Sequence, residues 1–336
     1  MENPKKLRIA LDVMGGDFAP EREIAGARKA LMDSKGEIEL FLIGNEKVIR
    51  RTLSSQKGES SQFQIVHAPQ VVTMEDVPTA AIKNKRDSSL AIGMRLHSEG
   101  KVDAFVSAGN TGAVLSASTL ILGRIKGISR PTIGTFIPAE HGPCLLLDAG
   151  ANVDSRAQHL YEFALMGSIY YKIIKKKENP TVALLNVGEE KTKGTEEIQQ
   201  AYKLLFESNL NFIGNVEGGD ILKAKADVVV CDGFVGNIVL KFGESVPKFL
   251  KYRLRKFSKK GLMQKLAVAI SLWPLKKSLS DFDPNEEGGV PVLGVNGVVI
   301  VGHGSSTPKG IKNMIMRAVE MARSKINEQI ELALVK

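Results

Sequence analysis

The sequence predicts an α/β fold of three layers, α/β/α, around a mostly parallel sheet. Three observations predict it. Short, continuous apolar runs recur along the chain, and runs of that kind are strands buried on both faces. Stretches of helical spacing lie between them, so strand and helix alternate as in βαβ units. Eight of the runs end in Gly, Asn, Asp or Ser, small residues that let backbone N–H groups turn outward at strand ends; gathered along one edge of the sheet, at the carboxyl ends of the strands, such turns are expected to hold an anion.

Ile9-Ala10-Leu11-Asp12 leads into Gly15-Gly16-Asp17, and Pro20 with Glu21 and Glu23 then starts a helix running to about Asp33. Proline suits the first turn, and acids there complement the helix dipole. Leu40–Ile43 ends at Gly44-Asn45. Ser88 or Ser89 caps a helix ending near Gly100. Phe105-Val106-Ser107 runs into Gly109-Asn110-Thr111-Gly112, where Asn110 or Thr111 opens a helix that ends near Gly123. Leu145–Asp148 meets Gly150-Ala151-Asn152, and Ser155 caps an amphipathic helix through Ile174. Val182–Leu185 turns at Asn186-Val187-Gly188, Phe212-Ile213 at Gly214-Asn215, and Val228–Val230 at Asp232-Gly233.

Beyond Gly233 the alternation stops. A long helix, a break at Ser258–Gly261 and an apolar stretch Leu262–Leu275, stopped by Pro274 and the following lysines, read as a helical hairpin projecting from the body. Residues 245–280 are thus a basic amphipathic insertion within a single α/β domain spanning 1–336. Val298–Val301 then enters Gly302-His303-Gly304-Ser305-Ser306. The last helix follows Pro308, with Ile311, Ile315, Ala318 and Met321 at helical spacing.

The 336 residues, 43% apolar and 25% charged, suffice for a large core. The two cysteines, Cys144 and Cys231, lie in or beside apolar runs and are expected as buried free thiols. No CxxC or HExxH pattern exists and the five histidines are scattered, so neither a metal nor a cofactor is expected. Met1–Arg8 is short and polar, without the apolar region of a secretory signal, and no run approaches the ~20 apolar residues of a membrane span. A cytoplasmic protein is expected. The net charge of +9 is local: Ser245–Ser280 contains no Asp or Glu and ten Lys or Arg, which account for the excess of 46 basic over 37 acidic residues. No nucleic-acid-binding motif accompanies that charge, and no nucleic-acid partner is expected.

The turns match one family. Ile9–Pro20 (IALDVMGGDFAP), Ser107–Ala113 (SAGNTGA), Gly150–Asp154 (GANVD), Leu185–Glu190 (LNVGEE) with Lys193-Gly194, Val230–Leu240 (VCDGFVGNIVL) and His303-Gly304 resemble, in order and spacing, the bacterial phosphate acyltransferases of phospholipid synthesis, the PlsX family. The resemblance runs from about residue 7 to the final helix. It implies a fold like that of isocitrate and isopropylmalate dehydrogenases and of phosphotransacetylase. It implies that inorganic phosphate attacks the thioester of a long-chain acyl carrier protein, and that a membrane-embedded glycerol-3-phosphate acyltransferase takes the acyl phosphate toward phosphatidic acid. It further implies a homodimer, peripherally associated with the inner face of the cytoplasmic membrane. Val235 and Val239 stand where the family commonly has Thr, which weakens any requirement for a hydroxyl there.

Phosphate is already anionic at neutral pH, so the reaction needs a cradle, an oxyanion stabiliser and a proton for the leaving thiolate rather than a protein nucleophile. The expected cradle is the backbone at Gly15, Gly16, Gly109, Thr111 and Gly112, with Asn110 adding its amide; the alternative is tight turns without a ligand. Lys83, Lys85 and Arg86 precede a helix start and suit phosphate, the acidic carrier or a solvated loop equally. Lys191 and Lys193 are similarly ambiguous. The resemblance favours Lys193, and with it Asn186 as a phosphate contact. His303, between glycines at a strand end, suits a general acid or oxyanion donor, or a histidine bonded to backbone. Asp12, Asp148, Asp154 and Asp232 are expected as turn stabilisers, with a Mg²⁺-binding pair as the alternative. Leu262, Leu266, Ile270 and a tip Trp273 with flanking lysines describe a helix lying on an anionic membrane; dimer packing or carrier binding are the rivals. Two other functions stay open: a metal- and NAD-dependent decarboxylating dehydrogenase of the isopropylmalate type, against which no GxGxxG follows the first strand, and a non-enzymatic membrane-surface scaffold.

Overall fold

The computed structural model describes residues 6–56, 62–278 and 280–334; Met1–Lys5, part of the N-terminal segment Met1–Arg8 read above, lie outside them. The elements are β1 (Leu7–Asp12), α1 (Glu21–Asp33), β2 (Ile38–Gly44), α2 (Glu46–Ser55), β3 (Phe63–His67), α3 (Pro78–Asn84), α4 (Ser89–Ser98), β4 (Ala104–Ser107) and α5 (Thr111–Ala117), the last continuing as a π-turn to Leu122. There follow β5 (Thr132–Ile137), β6 (Cys144–Leu147), α6 (Ala157–Lys175), β7 (Thr181–Leu185), α7 (Glu196–Phe206), β8 (Asn211–Val216), α8 (Gly218–Ile221) and β9 (Val228–Val230). The chain ends with α9 (Gly233–Ser258), α10 (Leu262–Ser278), α11 (Pro284–Glu287), β10 (Val290–Leu293), β11 (Val299–Val301), α12 (Pro308–Ser324) and α13 (Ile326–Leu334).

One 11-stranded sheet runs in the order β3-β2-β1-β4-β11-β10-β5-β6-β9-β7-β8. The pleat sorts its side chains. Ile9, Leu11, Val106, Leu145, Leu147, Val182, Val228 and Ile300 face one side and join α1, α6 and α12 in a single continuous core. Their strand neighbours face the other side, where the core is divided. Ala10, Phe105 and Val299 pack with α4 and α5, while Leu146, Ala183 and Val229 form a separate cluster.

The sheet is parallel in two blocks, β3-β2-β1-β4-β11 and β6-β9-β7-β8, but three antiparallel pairings, β11–β10, β10–β5 and β5–β6, separate them. Three reversals leave the blocks running in opposite directions. The eight glycine-rich turns therefore do not line one rim: those after β1, β2, β4 and β11 sit at one edge, and those after β6, β7, β8 and β9 at the other.

Side-chain caps set most helix starts. Ser88 Oγ accepts from Ala91 N, Asn110 Oδ1 from Ala113 N, Asp232 Oδ1 from Val235 N and Thr307 Oγ1 from Gly310 N. Ser155 caps nothing. α6 begins two residues later because Glu197 Oε2 takes the Ala157 amide at 2.7 Å and His159 Nδ1 takes that of Arg156 at 3.1 Å. Pro274 does not stop α10, which continues to Ser278; the carbonyl deprived of its partner is that of Ile270, a residue open to solvent. The last helix breaks at Lys325, which adopts a left-handed φ of 52°, into α12 and α13.

Candidate functional site

At the edge shared by β1, β4 and β11, three strand ends converge. A Cβ on Gly15 would stand 2.9 Å from the backbone of Gly109, so only glycine allows the two turns to touch. Asp17 N donates to Gly304 O at 2.8 Å, tying the first turn to the third. Beneath them Asp12 is buried; its carboxylate accepts from Ser107 Oγ at 2.8 Å and Met14 N at 3.0 Å, and Ser107 Oγ in turn accepts from Gly109 N. Burial pushes the Asp12 carboxyl up, opposed by hydrogen bonds from Ser89, Met14 and Ser107. Glu23 of α1 is 1% exposed and lies directly under Gly16, where a Cβ would displace its carboxylate. Burial, reinforced by the charge of Asp12, raises its carboxyl to about 7.

The amides of Gly15, Gly16, Thr111, Gly112, His303 and Gly304 have no acceptor among the described residues. They make this convergence a donor-rich turn, with His303 exposed beside it and its Nδ1 3.2 Å from Ser305 Oγ. Asn110 is engaged differently from the expectation. Its Nδ2 donates to the carbonyls of Thr73, Met74 and Asp76 at 3.2–3.3 Å while its Oδ1 caps α5, so its amide clamps the 73–76 loop instead of pointing to a ligand. Lys85 is likewise engaged, donating to Asp76 Oδ2 at 2.5 Å and Val71 O at 2.9 Å. Arg86 donates to Lys83 O, and Lys83 is exposed.

Asn186 and Lys193 lie at the end of β7, in the block of opposite direction, and are not brought to this convergence. Asn186 spans its own loop, donating to Lys193 O at 3.1 Å and accepting from Val187 N at 2.8 Å; Lys193 is exposed. In the same block Asp148 is a turn stabiliser in full. Its buried carboxylate accepts from Gly150 N, Ala151 N, Asn152 N and Asn152 Nδ2 at 2.7–3.0 Å, and burial raises it against those bonds. Gly233 and Gly236 let α9 press on this loop: a Cβ on Gly236 would stand 1.8 Å from Asp148 O. Cys144 and Cys231 are buried free thiols, Cys144 pushed to about 12 by burial.

Sequence reading missed a cleft. Where the core of one sheet face divides, Thr119 and Leu115 of the α5 region face Arg124, Arg130 and Asn152 across a volume of about 270 Å³. Its loop is firmly held. Arg124 donates to Ser129 O, Asn296 Nδ2 to Arg124 O at 3.0 Å, and Ser129 N and Oγ both donate to buried Glu162 at 2.7 Å. The signal available was a pair of arginines in a loop bounded by Gly123 and Pro131, which matches no phosphate motif.

The hairpin exposes what it was expected to expose. Leu262, Leu266, Ile270 and Trp273 are 63–84% accessible, α10 packs on α9, and the only buried residue of α10 with a described side chain is Val268. Trp273 is not at the tip. The turn is at Lys259–Gly261, and Trp273 stands ~16 Å down α10 from it. No described helix is long and apolar enough to cross a membrane.

The chain matches, over residues 7–329, the family described as fatty acid synthesis protein. It is 46% identical over 333 residues to a phosphate acyltransferase of Chlorobaculum parvum, covering 96% of this chain and 98% of that one. Among solved structures it is similar to a phosphotransacetylase from Streptococcus pyogenes, at a TM-score of 0.65 with 17% identity, over 95% of this chain and 94% of that one. It is also similar to a 4-hydroxythreonine-4-phosphate dehydrogenase from Salmonella typhimurium, at a TM-score of 0.54 with 12% identity, over 95% and 100%. These two share the fold.

Proposed function

The chain belongs to the fatty acid synthesis protein family, and on that premise we propose that it transfers a fatty acyl group from acyl carrier protein to inorganic phosphate, supplying acyl phosphate for phospholipid synthesis. The observation that carries this reading is the row of unpartnered amides where Gly15-Gly16, Thr111-Gly112 and His303-Gly304 converge. Such donors hold phosphate and cost no reorganisation when charge develops on a carbonyl oxygen.

In the proposed step a phosphate oxygen forms a bond to the thioester carbonyl carbon. The tetrahedral oxyanion collapses with cleavage of the C–S bond, and the proton of hydrogen phosphate ends on the carrier thiol. His303, exposed at the turn, is placed to pass that proton; Lys193, exposed and distant in the sheet, suits an interaction with the acidic carrier better than the chemistry, and Asn186 holds the loop that carries it. Proximity and aligned donors supply the rate, so the scheme requires no protein nucleophile.

The exposed apolar face of α10, flanked by lysines, supports docking on an anionic membrane surface, where the glycerol-3-phosphate acyltransferase would take up the product. The exposed Ile238, Phe242 and Phe249 of α9 support a homodimer through the hairpin. The test is release of carrier thiol from a long-chain acyl carrier protein on adding phosphate. Release matched by acyl phosphate, trapped as the hydroxamate, supports the reading. NADH formation from 2-hydroxy acids with no thiol release refutes it.

A further inference from the structure

The cleft at Arg124 and Arg130 does not stand alone. A second hollow of about 230 Å³, lined by Thr79, Leu115, Ser116, Thr119 and Leu120, shares Leu115 and Thr119 with it. Thr79 follows Pro78, whose ring lies against Gly112: a Cβ there would stand 2.7 Å from Pro78 Cγ. Cleft, hollow and glycine turn therefore follow one another along α5. The far end is cationic, the middle is largely apolar, and the near end is rich in free amides.

The arginines are organised for an anion. Arg130 has no hydrogen bond or ion pair among the described residues, whereas its loop is pinned through Ser129 to Glu162. Burial pushes His159 down, with the positive charge of Arg130 adding to the effect. Two guanidinium groups facing an open volume recognise an anionic phosphoryl group in preference to an uncharged chain. The seven residues of α5 span ~10 Å, so an anion in the cleft and a reacting carbonyl at the turn are separated by a distance that an extended arm of pantetheine length covers.

Resting on the acyl-transfer reading, we propose that Arg124 and Arg130 bind the phosphodiester of the carrier's pantetheine arm, and that the arm lies along α5 over Leu115 and Leu120 to deliver its thioester to the glycine turn. The same chemistry, a phosphoryl group on an aliphatic chain, is offered by the acyl phosphate product, and the experiment separates the two.

Calorimetry with the full chain compares 4′-phosphopantetheine, pantetheine and octyl phosphate. The expected result is that phosphopantetheine binds at least about ten-fold more tightly than pantetheine. Arg130→Gln should abolish that gap, and Leu120→Asn should weaken both ligands alike. Both side chains are exposed, so both variants are expected to fold, with circular dichroism as the check. Equal binding of phosphopantetheine and pantetheine by the unaltered chain, or an unchanged gap in Arg130→Gln, overturns the proposal. So does octyl phosphate displacing phosphopantetheine at a tenth of its concentration, which would make the groove the product's seat. The readout needs no turnover: binding without acyl transfer sinks the reaction and leaves the groove, while transfer with an unchanged gap sinks the groove alone.

Discussion

Glu23 and Gly16 define one another: the carboxyl fills the space a side chain would need, and its Oε2 is buried without a partner. Below the free value of 4.5, folded and unfolded chains both carry the proton and the site costs nothing. Between there and about 7 the unfolded chain ionises first, so stability falls as pH rises, by about 3 kcal/mol in all. Glu23→Gln is expected to remove that slope. In urea denaturation it should gain about 2 kcal/mol over the unaltered chain at pH 8 and much less at pH 5. Asn110 is a second such residue. It was legible in the sequence as a helix opener, but the loop it clamps begins 37 residues earlier, and nothing local announces that. Asn110→Ala should cost about 2 kcal/mol through the lost cap and the loosened 73–76 loop, whereas Asn110→Asp should keep the cap and lose only the clamp. Thermal denaturation of the two variants separates these contributions.

At the scale of elements, the sequence was readable wherever the cause was local. Ser88, Asn110, Asp232 and Pro308 mark helix starts because a cap or a proline acts within three residues. Ser155 misled because the Ala157 amide is served by Glu197, forty residues away in α7, and that of Arg156 by His159. β3, β5 and β10 were not read as strands: β3 is an edge strand with mixed burial, and β5 and β10 carry Gly134 and Pro291. The hairpin was readable because its charge and its apolar face are properties of composition. It carries a prediction of its own. Leu266→Asp with Ile270→Asp should abolish co-sedimentation with vesicles containing anionic lipid while the helical signal is unchanged, since both side chains already face solvent. Retained binding would assign that face to the partner copy, and a change of mass in light scattering would show it.

For the whole molecule, what the sequence could not show was direction. Gly and Asn at strand ends look alike whichever way a strand runs, and three antiparallel pairings in mid-sheet are set by contacts between distant segments. One rim of eight turns thus became two edges, and the site contracted to β1, β4 and β11. The arginine cleft was hidden for the same reason, since Asn152 and Thr119 face one another only once both blocks have packed. On the proposed function, backbone amides and cations hold the substrates and phosphate itself is the nucleophile. Intact-mass analysis of the protein mixed with acylated carrier, first without and then with phosphate, tests this most directly. The account predicts no acyl adduct on the protein and no free carrier thiol until phosphate is added, then thiol and acyl phosphate in equal amounts; an acylated protein, or thiol released before phosphate, would contradict it.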